Sequence, residues 1–226
     1  MYKYFKRVFD IVISLFMLLI FLIPMIIVSI AIKVESMGPI IFRQVRTGYK
    51  GKNFNLYKFR SMSVDNDVLN NSSENKLTKV GSFIRKTSLD ELPQLINILK
   101  GDMSLIGPRP WIVEYYQNFT DDQKKRVDVL PGITGLAQAV GRNNLTIFDK
   151  ISYDIEYVNN YSIKMDIKVI FLTIKTVLSR TGAELSKSGI HDELRELHDN
   201  YLYVTGRQPV ITEEQLKQYE ESKLNS

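Results

Sequence analysis

The sequence contains no cysteine and only two histidines, His191 and His198, both in its polar C-terminal region. The absence of cysteine excludes a disulfide framework, a cysteine nucleophile and a thiolate metal site. A histidine dyad in the body of the chain is excluded as well, so acid–base or nucleophilic chemistry there falls to Asp, Glu, Lys, Tyr, Ser or Thr. No Walker A, G-x-G-x-x-G, G-x-S-x-G or zinc-ligand pattern is present.

The composition bounds the class of protein. Hydrophobic residues make up 44% of the 226 residues, which excludes wholesale disorder and suits one domain with appendages. The net charge of +5 favours anionic partners such as phosphates, anionic lipid or nucleic acid. No nucleic-acid partner is expected, because the aromatic residues are not interleaved with a clustered basic face and no known module is present.

A run of 22 residues without charge occupies positions 11–32. As a straight helix it would be about 33 Å long, enough to cross the core of a bilayer. A signal peptide is disfavoured because the run is too long and no small-residue cleavage site follows it. Three interpretations compete: a spanning helix, a re-entrant hairpin that enters and leaves on one face, and a buried core helix of a soluble protein.

Two features of this run favour the hairpin. Pro24 lies just past its middle, where it removes a backbone hydrogen bond and bends the helix. Positive charge flanks both ends, so the positive-inside rule does not distinguish them. The flanking basic residues are Lys3, Lys6, Arg7, Lys33, Arg43, Arg46, Lys50 and Lys52.

The rest of the chain predicts two strands and several helices. The strands are predicted at 40–45 and 54–62, joined by a Gly/Lys-rich turn. Loops are predicted at 64–78 and 103–110, and an irregular glycine-rich segment at 131–141. The helix at 164–179 is apolar over much of its circumference and could pack in the core or lie on a membrane surface. Helices are predicted at 82–86, 88–100 (ending at Gly101), 111–129, 147–160, 164–179 and, from a capping box at Thr212 and Gln215, near the C-terminus.

The adjacent carboxylates Asp90 and Glu91 form the densest chemical signal. Ser88 and Glu91 have the spacing of a capping box, so the local pattern alone favours a structural role. The functional alternative is phosphoryl transfer, for which a carboxylate nucleophile and free helix N–H groups are suited. Adjacent helical residues point about 100° apart, so one carboxylate could attack phosphorus while the other holds a metal.

Basic residues and a glycine loop accompany this pair. A diphosphate needs its charge neutralised by basic groups and a divalent cation, whereas the alternative for each basic residue is a solvated surface charge. The segment PGITGLAQ at 131–138 could let the backbone approach a ligand closely, or form a plain buried turn. The candidate phosphate-binding residues are Lys58, Arg60, Arg85, Arg109 and Arg142.

Several motifs in order carry a resemblance to a known family. They are the proline-containing apolar segment, GPIIFRQ at 38–44, KFRSM at 58–62, SLDELPQLIN at 88–97, GDMSLIGPRP at 101–110 and PGITG at 131–135. With these motifs the chain resembles the bacterial monotopic phosphoglycosyl transferases, also called bacterial sugar transferases. The resemblance extends from the apolar segment to about Arg180.

The resemblance implies a fold and a location. The fold would be α+β, with an N-terminal re-entrant membrane helix broken at Pro24, amphipathic interfacial helices and a small helix-rich cytosolic domain that contains a short β-hairpin. The domains would be residues 1–36 for the membrane segment, 37–182 for the catalytic domain and 183–226 for a polar extension. The protein would lie in the inner or plasma membrane, with its catalytic domain on the cytoplasmic face.

The resemblance also implies a reaction, which is magnesium-dependent and ping-pong. Asp90 would attack the β-phosphate of a UDP-sugar and release UMP, and polyprenyl phosphate would then take the phosphosugar from the enzyme. Glu91 would bind Mg²⁺, and the basic candidates would engage phosphates. The runner-up is a catalytically silent membrane scaffold of a glycan-assembly complex. The identity of the sugar is not predicted, and a long amphipathic tail could support a homodimer.

Overall fold

The computed structural model of the chain describes residues 1–63, 77–141, 144–178 and 190–206. The first element, α1, is one continuous helix, Tyr2–Glu35, that runs through Pro24 without the helix break predicted there. Among the described residues it is the one helix that is long and apolar enough to cross a membrane. Only 11% of its most apolar window is buried, so the interpretation as a core helix of a soluble protein is wrong.

An antiparallel hairpin follows α1, as predicted. Its strands are β1, Ile41–Thr47, and β2, Asn53–Phe59, joined by a 3-10 turn at Tyr49–Gly51. The register sets Phe42 opposite Lys58 and Arg46 opposite Phe54. Because side chains alternate along a strand, Arg46 and Lys58 lie on the same face of the hairpin.

The segment around the two carboxylates is less helical than predicted. Helix α2, Lys79–Lys86, is followed by a 3-10 turn at Leu89–Glu91, and α3 occupies only Gln94–Lys100. The prediction of one helix over 88–100 is therefore wrong in its first half. Pro93 has no N–H to donate inside a helix, and it is the residue that precedes α3. Gly101 ends α3 with a φ of 91°, the left-handed conformation predicted for it.

The middle of the chain contains strands where only loops were predicted. Strand β3, Ser104–Ile106, pairs in parallel with β4, Gly132–Thr134. Residues 111–129 are not one helix but α4, Val113–Gln117, α5, Asp121–Lys124, and a 3-10 turn at Lys125–Val127. The break occurs where Thr120 and Gln123 form a capping box that starts α5.

Four further helices complete the mixed helix-and-sheet architecture. They are α6, Leu136–Val140, α7, Ile147–Asn159, α8, Ile163–Leu178, and α9, Ile190–Thr205. The predicted helices at 147–160 and 164–179 are confirmed as α7 and α8. The capping box predicted at Thr212 and Gln215 lies outside the described residues.

Helix α1 is attached to the domain along its length. Near its start, Lys6 pairs with Asp166 of α8 across 2.5 Å, and the Asp10 carboxylate accepts a hydrogen bond from the Leu105 N–H. Near its end, Val28 and Ile32 are buried with Phe59 of β2 and Ile84 of α2. Arg7 donates to the Ile98 and Leu99 carbonyls at the C-terminal end of α3. These attachments place α1 directly behind the elements that carry the candidate site.

Candidate active site

Asp90 and Glu91 lie on the 3-10 turn between α2 and α3. Ser88, just before this turn, has a φ of 57°, a left-handed conformation that is uncommon for a residue with a side chain. Its side chain makes no capping hydrogen bond with the described residues. The capping-box alternative for Ser88 and Glu91 is therefore wrong. A strained residue beside two carboxylates is a frequent feature of functional sites.

Glu91 is paired with two cations. Lys58 Nζ donates a hydrogen bond of 2.6 Å to Glu91 Oε1, and Arg109 Nη2 lies 3.3 Å from the same oxygen. Burial alone would raise the pKa of Glu91, but Lys58 and then Arg109 outweigh it and lower the pKa to about 2. Glu91 is therefore an anion throughout the physiological pH range.

Asp90 has a different environment. It is 8% exposed, and its Oδ2 lies 3.8 Å from Lys58 Nζ. Burial raises the pKa of Asp90, Lys58 opposes this shift, and the neighbouring charge of Glu91 adds to it. The pKa values of two adjacent carboxylates are thus moved in opposite directions, which is typical of carboxylates with different tasks in one site.

A small, shallow cleft lies beside this pair. Its basic walls come from the hairpin and from the loop after β3, and Lys58 connects the cleft to both carboxylates. The burial of Lys58 lowers the pKa of its ammonium, an effect that Glu91 opposes. The lining residues are Arg46, Leu56, Lys58, Gln94, Arg109 and Pro110.

The predicted basic residues do not all reach the cleft. Arg85 donates from Nε to Ser61 Oγ at 2.9 Å and is near enough to Asp90 to lower the pKa of that carboxyl. Arg60 instead donates to the Ser36 and Met37 carbonyls at 2.7 Å, immediately after the C-terminal end of α1. The phosphate-binding role predicted for Arg60 stays a prediction, and Arg142 lies outside the described residues.

The loop that carries Arg109 is held rigidly from behind. Arg126 Nη2 donates to the Arg109 carbonyl at 2.6 Å and to Asp154 Oδ2 at 2.5 Å. The Arg126 guanidinium also stacks over the Trp111 ring at 4.5 Å. Arg126 and Asp154 are 3% and 1% exposed, so this pair is fully enclosed. Its effect is to fix the backbone of the Gly-Pro-Arg-Pro loop.

The glycine loop at 131–138 supports the Arg109 loop. The Gly107 N–H donates to the Thr134 carbonyl, and the Gly132 N–H donates to the Pro108 carbonyl, both at 2.9 Å. A side chain at Gly132 or Gly135 would meet the backbone of Gly107 at about 2.1 or 2.2 Å. The segment is not a plain turn, because it forms β4 and the start of α6, and its glycines allow its backbone to pack against that of Gly107.

Sequence reasoning did not identify Arg46, Gln94, Arg126 or Asp154 as parts of the site. In the sequence, Arg46 is one of several basic residues that flank the apolar run, and nothing distinguishes it from the others. The strand register, which depends on the turn at Tyr49–Gly51, is what brings it to the face of Lys58. The Arg126–Asp154 pair joins residues 28 apart and had no signal in the local pattern.

The residues at the site suit a cation that takes part of its coordination shell from a bound substrate. Among the described residues, no group of three His, Cys, Asp or Glu side chains is placed to hold a metal ion alone. Mg²⁺ commonly binds one or two carboxylates and takes its other ligands from substrate phosphates and water. Glu91 and Asp90 provide this partial donor set.

Residues 1–180 match the family model of the bacterial sugar transferases, which covers α1 to α8 and every described part of the site. The chain belongs to the bacterial sugar transferase family. The family prediction is therefore confirmed, and the prediction of a transferase is confirmed at the level of the family. Helix α9 lies beyond the match.

Three relatives illustrate the likeness. The galactosyl transferase CpsE of Streptococcus agalactiae is 48% identical over 163 residues, 65% of this chain and 36% of its own length. The UDP-glucose:undecaprenyl-phosphate glucose-1-phosphate transferase of Escherichia coli is 44% identical over 181 residues, 75% of this chain and 39% of its own length. The uncharacterized sugar transferase EpsL of Bacillus subtilis is 42% identical over 181 residues, 79% of this chain and 90% of its own length. The chain thus spans little more than a third of two of these relatives and most of the third.

Proposed function

We propose that the protein transfers a sugar 1-phosphate from a UDP-sugar to a polyprenyl phosphate in two steps. A carboxylate oxygen of Asp90 attacks the β-phosphorus, a P–O bond to the α-phosphate breaks, and UMP leaves with the bonding electrons. A phosphate oxygen of the polyprenyl phosphate then attacks the phosphorus on Asp90. The Asp90–phosphorus bond breaks, the carboxylate is regenerated, and a polyprenyl-diphosphate sugar is released.

The observation that carries this proposal is the unequal pair of carboxylates beside a basic cleft. The Asp90 side chain is buried. Among the described residues its nearest cation is the Lys58 ammonium, 3.8 Å from Oδ2, and it accepts no side-chain hydrogen bond. Its raised pKa makes it the more basic and more nucleophilic of the two. Glu91 is already committed as an anion between Lys58 and Arg109.

The cations of the cleft would bind and orient the diphosphate. Lys58 touches both carboxylates, so a phosphate placed against Asp90 also meets its ammonium. Arg109 is half-exposed and fixed through its backbone, which lets its guanidinium reach a ligand without losing position. Such preorganised charge stabilises the additional charge of a phosphoryl-transfer transition state.

Glu91 is the residue proposed to hold Mg²⁺, with phosphate oxygens of the donor as further ligands. The ion would neutralise charge on the diphosphate and on the departing phosphate. Its entry requires Glu91 to exchange part of its pairing with Lys58 and Arg109, which frees both cations for the substrate. The donor set at the site supports this assignment.

The surface of the protein supports a lipid acceptor and a membrane location. Apolar side chains project from the outer face of α1 and, with a spacing of three or four residues, from α8. Exposed apolar surface of this extent marks a membrane or protein contact. The exposed residues of α8 are Ile163, Ile167, Ile170, Phe171, Ile174, Val177 and Leu178.

We infer that α1, which is continuous through Pro24, keeps both of its ends on one face of the membrane, which would be the cytoplasmic one. Lys3 Nζ lies 3.2 Å from the hydroxyl of Tyr49 at the hairpin turn, and Ile32 packs on Phe59 at the base of the same hairpin. Both ends of α1 therefore contact one domain. A straight spanning helix would leave one end across about 30 Å of hydrocarbon, out of reach of that domain.

The reaction is tested with purified protein in nanodiscs, Mg²⁺, undecaprenyl phosphate and a panel of UDP-sugars. Release of UMP with at least one sugar is expected. Intact-protein mass spectrometry without acceptor should detect a phosphosugar adduct that is absent in Asp90→Asn. No UMP with any donor would support the scaffold alternative, and an adduct that survives in Asp90→Asn would assign the nucleophile elsewhere.

The topology is tested with single cysteines in the otherwise cysteine-free chain. A cysteine at Lys3 and one at Lys50 should react with an impermeant maleimide from the same side of sealed vesicles. Labelling from opposite sides would establish a spanning helix. The homodimer and the role of the C-terminal extension stay predictions.

A further inference from the structure

Arg46 is a cation of the cleft that the reaction described so far does not use. It lies on β1, on the same face of the hairpin as Lys58, and lines the cleft with Lys58 and Arg109. Lys58 lies opposite Phe42 in the hairpin, and Arg46 is four residues further along β1 than Phe42, opposite Phe54. The two basic residues are therefore four positions apart along the hairpin. At about 3.3 Å per residue, their backbones are separated by about 13 Å. Lys58 marks the end of the cleft beside Asp90, and Arg46 marks the end toward the hairpin turn.

The charge of Arg46 has no anionic partner within salt-bridge distance among the described residues. Its Nη2 donates to Gln44 Oε1 at 2.5 Å, and its Nη1 donates to the Pro110 carbonyl at 3.4 Å. Its Nε is enclosed and makes no hydrogen bond with the described residues. Two enclosed cations have an anion, Lys6 with Asp166 and Arg126 with Asp154, whereas enclosed Arg60, like Arg46, donates to uncharged oxygens. A partly buried guanidinium without an anion is costly unless a ligand supplies one.

The local electrostatics indicate what this ligand would be. Burial and then the nearby Arg109 lower the pKa of Arg46 to about 10, so it stays charged at neutral pH and is repelled by another cation of the cleft. Glu114 attracts Arg46 less than Arg109 repels it, and Glu91 is already shared by Lys58 and Arg109. An entering dianion at the Arg46 end would be attracted by Arg46 and Arg109 together. A guanidinium is the side chain best suited to bind a phosphate through two parallel hydrogen bonds.

We propose that Arg46 binds the α-phosphate of the nucleotide donor and retains it as the phosphate monoester of UMP after the P–O bond breaks. This inference rests on the proposed function. In a displacement at the β-phosphorus, the leaving oxygen lies opposite the attacking Asp90. Asp90 is beside Lys58 at one end of the cleft, so the leaving phosphate is directed toward the end that Arg46 occupies. Arg46 would thus stabilise the leaving group, whereas Lys58 and Arg109 meet the transferred phosphate.

The proposal is tested by binding, which needs no turnover. Isothermal titration calorimetry would measure the affinity of UMP and of uridine for the full-length protein in nanodiscs, in the wild type, Arg46→Gln and Arg46→Lys. Arg43→Gln is the matched control, since Arg43 lies on the same strand, is exposed and stacks on Tyr57 outside the cleft. Thermal unfolding of each variant shows whether it is folded.

Loss of a charge-assisted contact should weaken UMP binding by roughly 10- to 100-fold in Arg46→Gln and leave uridine binding unchanged. Arg46→Lys keeps the charge, so its affinity for UMP should lie between those of the wild type and Arg46→Gln. If the glutamine variant does not fold, the lysine variant provides the comparison. Arg43→Gln should match the wild type. In turnover assays, the KM for the UDP-sugar should rise and that for polyprenyl phosphate should not.

Three results would overturn the assignment. Equal UMP affinity in the wild type and both Arg46 variants would show that Arg46 does not bind this phosphate. A raised KM for polyprenyl phosphate with unchanged UMP binding would assign Arg46 to the lipid phosphate instead. If the wild type did not bind UMP, Arg46 could not retain it and this assignment would fail, and UMP release in the turnover assay would show independently whether the proposed function holds.

Discussion

Lys58 on the β-hairpin donates a hydrogen bond of 2.6 Å to Glu91 on the turn before α3. The contact joins two elements that are 33 residues apart in the sequence. It also brings the Lys58 ammonium within 3.8 Å of Asp90. One lysine therefore connects the proposed nucleophile, the proposed metal ligand and the cleft in which the diphosphate would lie.

Replacing Lys58 with methionine should abolish most activity while keeping the volume of the side chain. Glu91 would lose its main partner, so its pKa should rise, and the free energy of unfolding should fall by about 1–3 kcal/mol. UMP release should drop by at least about 100-fold, as expected when a preorganised charge is removed. Lys52→Met, at an exposed position of the hairpin turn, is the control and should change neither quantity. Full activity in Lys58→Met would show that the ammonium has no part in catalysis.

The two carboxylates should respond oppositely to amide substitution. The pKa of Glu91 is lowered from 4.5 to about 2, so its ionised form stabilises the fold above pH 4.5, and this contribution is lost as pH falls through about 2. Glu91→Gln should therefore lower the free energy of unfolding at pH 7 by about 3 kcal/mol. The pKa of Asp90 is raised, so its stabilising contribution is present only at low pH and is lost as pH rises through the raised value.

Asp90→Asn should accordingly keep or increase the stability at pH 7 while losing the covalent adduct. Thermal unfolding of both variants at pH 7 provides the comparison, and each serves as the control for the other. A clear loss of stability in Asp90→Asn would contradict the raised pKa assigned to that carboxylate.

Adduct formation should depend on the ionisation of Asp90. The attacking carboxylate must be deprotonated, so the rate of adduct formation should fall with pH through a pKa above the ordinary value of 3.8. Single-turnover mass spectrometry across a pH series measures this rate. A rate that is constant down to pH 4 would exclude Asp90 as a nucleophile with a raised pKa.

The enclosed Arg126–Asp154 pair allows stability and positioning to be separated. Arg126→Met leaves Asp154 buried without a partner, and the expected loss of stability is about 3–5 kcal/mol. The double variant Arg126→Met with Asp154→Leu should recover much of this loss, because no buried charge is left. Its activity should stay low, because the Arg109 carbonyl still lacks the donor that holds it. Recovery of both stability and activity in the double variant would show that Arg126 does not position Arg109.

Arg7 provides a test of how α1 affects the site. Arg7→Gln removes the charged donor from the Ile98 and Leu99 carbonyls at the end of α3, the helix that follows the carboxylates. We expect faster hydrogen exchange in α3, a loss of about 1 kcal/mol in stability and reduced UMP release. Vesicle flotation should be unchanged, since the apolar face of α1 is untouched. Lys3→Gln, one turn earlier on α1, is the control, and an equal effect of both would point to a general weakening of α1.

Local patterns predicted well wherever the cause of the structure was itself local. The hairpin, α7, α8 and the left-handed Gly101 follow from alternation, helical periodicity and the conformational freedom of glycine. The helix predicted over 88–100 failed because Pro93 and the strained Ser88 outweigh the capping-box spacing. The β3–β4 pairing could not be predicted, since each strand has three residues and the partner lies 28 positions away.

The site was predictable in its carboxylates and only partly in its cations. Asp90, Glu91, Lys58 and Arg109 lie together, and Arg85 is nearby. Arg60 was predicted from strand alternation with Lys58, but its guanidinium turns to the end of α1. Alternation identifies a face of a strand and not the partner that a long side chain finds there, and that partner depends on the tertiary structure.

The polar contacts of α1 also bear on how the chain matures. Lys6, Arg7 and Asp10 precede their partners in the chain by 160, 91 and 95 positions. Until synthesis reaches Asp166, a nascent α1 at the bilayer carries charges that hydrocarbon does not solvate. Such charges disfavour deep insertion of α1 into the bilayer before their partners are synthesised. Contacts between residues so distant in sequence form late in folding. Insertion of α1 and closure of the domain over it should therefore occur as one cooperative event and not as successive steps.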